Sequence, residues 1–208
     1  MRYKYIDLSL PFTSNLPVFP GDPSPQIKKI FTIAKDGCSV HSYSFVGHTG
    51  THMDAPSHFI PGGKSLSELP LTTFSGKGIV LDCRGQNPIH SEIKDHITKY
   101  NDTVVLIRTD YSKNWKRKDY FSSYSVLSEG FAKGLTQARV KMVGIDSPSP
   151  DKDPFPIHKI ILGAGIPIME NLTNFDRLTH KVFRVFAFPL STPTDGVPVR
   201  VVAEVEGL

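Results

Sequence analysis

Along Ser39 to Val46 apolar and polar positions alternate, with Tyr43 and Phe45 interleaved with Ser42 and Ser44, and this period of two predicts a strand. Gln26 to Ile33 is a second strand-like run, and Ala34-Lys35-Asp36-Gly37 between them predicts a hairpin. Ahead of it, Tyr5 to Ser9 reads as a first strand. Pro11 to Pro23 reads as a Pro-rich loop whose Pro20-Gly21-Asp22-Pro23 turn displays Val18 and Phe19. Ser65-Leu66-Ser67-Glu68 has the spacing of a capping box and predicts a single helical turn.

In the middle of the chain the period changes. Gly78 to Cys83, Thr103 to Arg108 and Met142 to Ile145 are apolar strand runs. Ser91 to Tyr100 brings Ile93, Ile97 and Tyr100 to one helical face, and Ser128 to Ala138 does the same with Phe131, Leu135 and Ala138. Strand, helix, strand, helix, strand in this order predicts an α/β architecture with some parallel pairing and buried central strands. Asp146 to Asp151 is then a Pro-stiffened loop, Phe155-Pro156-Ile157-His158 opens a short helix through Leu162, and Gly163 and Gly165 end it. Ile166 to Asn171 is strand-like. Val182 to Pro189 and Pro198 to Val205 predict a closing hairpin around Thr192-Pro193-Thr194-Asp195-Gly196.

Composition narrows the class. The 208 residues suit one domain with one good core, and 39% hydrophobic with 21% charged residues is an ordinary globular balance. No run of apolar residues reaches the length of a membrane span, and Met-Arg-Tyr-Lys-Tyr-Ile-Asp lacks the apolar centre of a secretory signal, so a cytoplasmic protein without membrane contact is expected. Cys38 and Cys83 are too few and too far apart for a disulfide framework and read as buried or incidental thiols. The net charge of +4 invites nucleic acid, but the one local basic run, Lys113, Lys116, Arg117 and Lys118 around Trp115, reads as a solvated loop. No nucleic-acid partner is expected.

The chemistry gathers in Gly47-His48-Thr49-Gly50-Thr51-His52-Met53-Asp54-Ala55-Pro56-Ser57-His58, which holds three of the eight histidines and a carboxylate. Imidazole and carboxylate suit a divalent cation such as zinc or manganese. His48 and His52 stand four apart, yet Thr49 occupies the place of the glutamate in helical zinc proteases, and Gly50, Thr51 and Pro56 oppose a helix. In an extended segment His52, Asp54, Pro56 and His58 would share one side, so a strand edge or loop feeding a cleft is expected. His158 and Glu170, polar groups beside apolar segments, are the candidates to complete the ligand set, and Phe19 is a candidate wall of a substrate pocket.

The pattern His48-x-Gly50-Thr51-His52-x-Asp54-x-Pro56-x-His58 resembles the signature of the cyclase-like metal-dependent hydrolases, which include bacterial kynurenine formamidases and isatin hydrolases. The likeness extends to Asp7-Leu8-Ser9, Pro17 to Asp22, Gly144 to Pro150, Phe155 to His158, Glu170-Asn171-Leu172 and Asp195-Gly196-x-Pro198-Val199-Arg200. It implies a single mixed-sheet swivelling β/β/α domain, usually a homodimer. It also implies two divalent ions, zinc or manganese: one on His48, His52 and Asp54, the other on Asp54, His158 and Glu170. His58 would then transfer protons, with Glu170 assisting. Phe19 stands where kynurenine formamidases often carry Trp. The activity implied is hydrolysis of a small amide, N-formylkynurenine first and a cyclic amide such as isatin second; a metal-bearing binding protein without turnover is the competing class.

Overall fold

The computed structural model describes residues 3–90 and 97–206. Among these described residues eleven strands and four short α-helices follow one another as β1 (Tyr3–Asp7), β2 (Gln26–Phe31), α1 (Ile33–Asp36), β3 (Val40–Ser44), β4 (His52–Asp54), β5 (Ser75–Asp82), α2 (Ile97–Tyr100), β6 (Thr103–Arg108), α3 (Glu129–Gln137), β7 (Met142–Ile145), α4 (Pro156–Gly163), β8 (Ile168–Glu170), β9 (Phe183–Phe186), β10 (Gly196–Pro198) and β11 (Val202–Glu206). Nine strands form one mixed sheet in the order β1-β11-β9-β5-β6-β7-β8-β4-β10, and β2 and β3 form a separate antiparallel hairpin. The pairs β5–β6, β6–β7 and β7–β8 are parallel and the remaining pairs of the large sheet antiparallel. The mixed α/β class expected from the strand and helix order is the one observed.

The central strands show why a continuous apolar run was legible as a buried strand. All six residues of β6 are buried. Their alternation sorts them into two cores: Val105 and Ile107 pack with Phe131 and Leu135 of α3 and Ile157 and Ile161 of α4, while Val104 and Leu106 pack with Leu8, Met53, Val185 and Ala203. The second group lies inside a curl of the sheet. Past the end of β1, Ser9 bridges Leu172, just beyond β8, and Leu8 receives a hydrogen bond from Thr173 N at 2.9 Å, so the first edge folds back towards the β8 side.

Local signals placed most ends. Ser128 caps α3 by accepting from Phe131 N, and Ser65 and Glu68 form the expected capping box around a 3-10 turn at Leu66–Glu68. Two readings need correction. The first strand is Tyr3–Asp7 rather than Tyr5 to Ser9, because pairing with β11 starts earlier and Ser9 serves the curl instead. The closing hairpin is present as β9 and β11, but Gly196–Pro198 leaves it to pair with β4 at the far edge of the sheet. Of the helix over Ser91 to Tyr100, only Ile97–Tyr100 is described, and residues 91–96 lie outside the described residues. Cys83 is buried as expected, whereas Cys38 is exposed.

The basic run lies on the surface, with Lys113 on Asp110 at 2.7 Å, Arg117 on Asp119 at 2.8 Å and Lys116 over the Trp115 ring. No helix among the described residues is long and apolar enough to cross a membrane. The inner core gives a stability test. Leu106 is fully buried there, so Leu106→Ala is expected to cost about 2–5 kcal/mol, read as a lower urea midpoint at unchanged slope.

Candidate metal centre

Strand register builds the centre. β4 lies between β8 and β10, and its antiparallel pairing sets His52 opposite Glu170 and Asp54 opposite Gly196. His52 and Asp54, two apart on the strand, therefore project to one side, as the spacing predicted. His58 does not continue that side: Pro56–His58 is a 3-10 turn, begun by the fixed φ of Pro56, and it carries His58 round to stack on His48 at 3.9 Å between ring centroids. His48 itself sits in the turn between the hairpin and β4. The fifth and sixth groups come from later in the chain, His158 from the first turn of α4 and Glu170 from the carboxyl end of β8, beside His52.

Asp54 is the middle of the group. Its Oδ1 lies 2.8 Å from His48 Nδ1 and 3.3 Å from His52 Nε2, and its Oδ2 lies 3.6 Å from His158 Nε2. Glu170 sits beside it, Oε2 at 3.3 Å from His52 Nε2 and Oε1 at 3.2 Å from His158 Nε2. Backbone and carboxylate acceptors fix the two inner rings. His52 Nδ1 is 2.7 Å from the Gly50 carbonyl, which can only accept, so the proton is on Nδ1 and Nε2 faces the carboxylates. His158 Nδ1 is 2.6 Å from Asp151, whose other oxygen accepts from the amides of Ile157 and His158 and so caps α4.

The electrostatics are those of a place built for positive charge. Burial pulls the His52 pKa down, but Asp54 and Glu170 outweigh it and hold the ring up to about 10. Against the same burial, Asp151, Asp54 and Glu170 hold His158 well above 6.5, and Asp54 raises His48. Asp54 is buried as well, yet His52 and the other rings keep its carboxyl well below 3.8. Glu170 Oε1 is buried without a hydrogen bond from any described residue. An orphaned carboxylate oxygen facing imidazole nitrogens is what a divalent cation would satisfy, and the all-oxygen-and-nitrogen donor set suits one. Among the described residues two sets of three could each hold an ion, His52, Asp54 and Glu170, and His48, Asp54 and His58, a grouping that differs from the two sets implied by the resemblance in placing His58 with His48 and leaving out His158.

His58 differs from its neighbours. Burial holds its pKa below 6.5 despite Asp54 and Asp195, so the ring is neutral near pH 7. Asp195 Oδ2 stands 3.0 Å from both His58 Nδ1 and His48 Nε2, tying the stacked pair together from the turn before β10. A cavity of about 350 Å³ opens above the cluster, walled by Phe19, Phe59, Phe121 and Phe155. Phe19 thus lies where the pocket wall was expected. Asp195, Asp151 and the other three phenylalanines were not singled out. Asp195 showed only as a turn residue and as part of the wider resemblance, while Asp151 acts across a helix start that no spacing rule connects to a ligand.

With this geometry in place the chain was compared with known proteins. The Cyclase family model matches residues 6–152, well over half of the chain. The chain belongs to the Cyclase family. It is 28% identical over 204 residues to a kynurenine formamidase from Bacillus cereus, covering 96% of each chain. It resembles the structure of isatin hydrolase A from Labrenzia aggregata bound to benzyl benzoate at a TM-score of 0.86 with 26% identity, over 99% of this chain and 94% of that one. A predicted metal-dependent hydrolase from Bacillus stearothermophilus is similar at a TM-score of 0.77 and 27% identity, over 98% and 99% of the two chains. The cyclase-family chain is accordingly a hydrolase with a site suited to a divalent metal.

Two outcomes follow for metal uptake. His52, held up to about 10, carries a proton at neutral pH that a cation must displace, so zinc affinity of the metal-free protein should rise with pH between about 6 and 9, with proton release visible by calorimetry in buffers of different ionisation enthalpy. A Cβ added at Gly196 would overlap the His48 ring, so Gly196→Ala should displace that imidazole and weaken metal binding about 10–100-fold in the same titration.

Proposed function

We propose that this chain is a metal-dependent amidohydrolase that cleaves a small aryl amide, acting as an arylformamidase that converts N-formylkynurenine and water to kynurenine and formate. The observation that carries the reading is His58: a neutral imidazole at the lip of the carboxylate cluster, lining an aromatic-walled cavity, with one nitrogen tied to Asp195 and the other free for a substrate proton. The identity to kynurenine formamidase supports the formamide substrate.

In this reading His48, His52 and Asp54 would hold one divalent ion and Asp54, His158 and Glu170 would hold a second; zinc and manganese both suit the donors. Bound there, divalent ions supply a nucleophile at neutral pH by acidifying water and polarise the amide carbonyl. The chain does the rest. The phenylalanine walls hold the aryl ring and exclude bulk water, which strengthens every charge interaction at the floor. His58 takes a proton on Nε2 and returns it to the leaving nitrogen as the C–N bond breaks, because an anilide anion is too poor a leaving group to depart unprotonated. Asp195 accepts from Nδ1 throughout, fixing the tautomer and stabilising the imidazolium while His58 carries the proton. Glu170 assists as the carboxylate facing His52 and His158.

A second substrate, a cyclic amide of the isatin kind, is favoured by the overall similarity to isatin hydrolase A, and the same residues would open the ring without losing a fragment. We also place the protein in the cytoplasm as a homodimer. The hairpin of β2 and β3 supports the pairing: it leaves Ile30, Phe31, Val40 and Tyr43 exposed, and a lone two-stranded hairpin is marginal in water. Sedimentation should give twice the monomer mass, and Phe31→Asp should shift it towards monomer.

The deciding assay is hydrolysis of N-formylkynurenine by protein loaded with zinc or with manganese. His58→Ala should lower kcat by about a hundredfold or more with metal content unchanged. Turnover of isatin alone would move the substrate to the cyclic amide, and full activity without His58 would remove it from the reaction.

A further inference from the structure

We propose that Asp22 is the counter-ion for a protonated amine on the substrate, so that the cavity selects an aryl amide with an ammonium-bearing tail over one whose only ionised group is a carboxylate. This rests on the amidohydrolase reading above.

The argument starts from what the cavity wall lacks. Beyond the carboxylate and imidazole floor, the lining is apolar except for Ser149, Asn171 and Asp22, and it includes no Lys or Arg among the described residues. Asn171 is already used on both ends, its Oδ1 accepting from Tyr120 and its Nδ2 donating to the Gly50 carbonyl. Ser149 receives the amide of Asp151. Asp22 is different: it is half-buried, and none of the side-chain hydrogen bonds or ion pairs among the described residues uses its carboxylate. A partly desolvated carboxylate beside aromatic walls gains from an ammonium and repels a second carboxylate.

Placement makes the group usable. Asp22 closes the turn that presents Phe19, its amide donating to the Phe19 carbonyl at 3.0 Å, with Gly21 at φ +102° supplying the left-handed step. Phe19 and Asp22 are therefore set together. Phe121 meets Phe19 edge to face at 5.9 Å, so the two form one aromatic wall, and it is backed by the buried Tyr120 at 5.2 Å, which is tied through Asn171 to the floor. An aryl ring resting on this wall would share one cavity with the carboxylate and imidazole cluster and with Asp22. The basic run stays outside the cavity lining: Lys116, Arg117 and Lys118 line an adjoining groove with Val18 and Pro20, which shares Pro17 and Phe121 with the cavity, and Arg117 is already paired with Asp119. For a zwitterionic tail such as that of N-formylkynurenine, the ammonium would meet Asp22 and the carboxylate would stay towards solvent.

Three formanilides with the same ring separate the terms: the parent compound, one with an aminomethyl substituent and one with a carboxymethyl substituent at the same position. With wild-type, metal-loaded protein the amine is expected to show a KM about tenfold below that of the acid. Asp22→Asn should close that gap, and Asp22→Lys should invert it. An acid that binds as well as the amine, or a gap that survives both substitutions, overturns the proposal. Failure of the amidohydrolase reading is seen separately, as no turnover of any of the three by wild-type protein. Calorimetric titration of the same compounds then reads the preference directly, and absence of amine binding at millimolar concentration also overturns it.

Discussion

The site depends on burying the carboxylate of Asp54. Only 1% of that residue is exposed, and a buried carboxylate without compensation costs several kcal/mol. Compensation comes from three imidazoles on three different parts of the chain: the turn after the hairpin, the same strand, and the helix α4. Each of those segments is held to its place by what its imidazole does at Asp54 and by what holds the imidazole from behind. Glu170 adds a second buried carboxylate beside the first, which raises the cost and sharpens the demand for a cation. The cluster is a place where buried carboxylates favour positive charge, a demand that suits a divalent cation.

Holding that cluster requires rigid backbone, and the fold places each member accordingly. His52, Asp54 and Glu170 are on paired strands whose neighbours are buried on both sides. His158 is on a helix whose start is capped by the same Asp151 that orients the ring, so that one carboxylate both ends the helix and sets the ligand. Gly196 lets β10 approach the His48 ring more closely than any side chain would permit. The peripheral groups, Phe19, Asp22 and Phe121, stand instead on turns and loops, tied through single contacts to the rigid part.

Much of this was readable from the chain because it was local. The His52 and Asp54 pair was visible as a two-residue spacing, the buried strands as apolar runs, and the capping box of Ser65 and Glu68 as its own signature. What was not readable is what register and curling decide. The pairing of His52 with Glu170 spans 118 positions of sequence, and no pattern within either segment announces it. Gly196 read as the end of a turn and Pro198 as the start of a closing strand; that Gly196–Pro198 instead forms a short strand at the other edge of the sheet is a property of the curl. Asp195 escaped for the same reason, since a turn residue becomes a support for two histidines only when β10 is laid beside β4.

This division between a strand-held cluster and loop-held walls bears on how one scaffold can serve different amides. The carbonyl chemistry needs donors fixed to fractions of an ångström, and shifting any strand of the sheet would disturb two buried carboxylates at once. The walls carry no such penalty. Phe19 is nearly half exposed and contacts Phe121 only at the ring edge, so exchanging it for a larger aromatic alters the cavity without touching the register of β4 and β8. A relative that acts on a formamide and a neighbour that acts on a cyclic amide can then share the floor and differ in the loops. In this chain the wall residues are the ones with the least structural cost to change, which is why the strand-built centre is the firmer guide to the class of reaction.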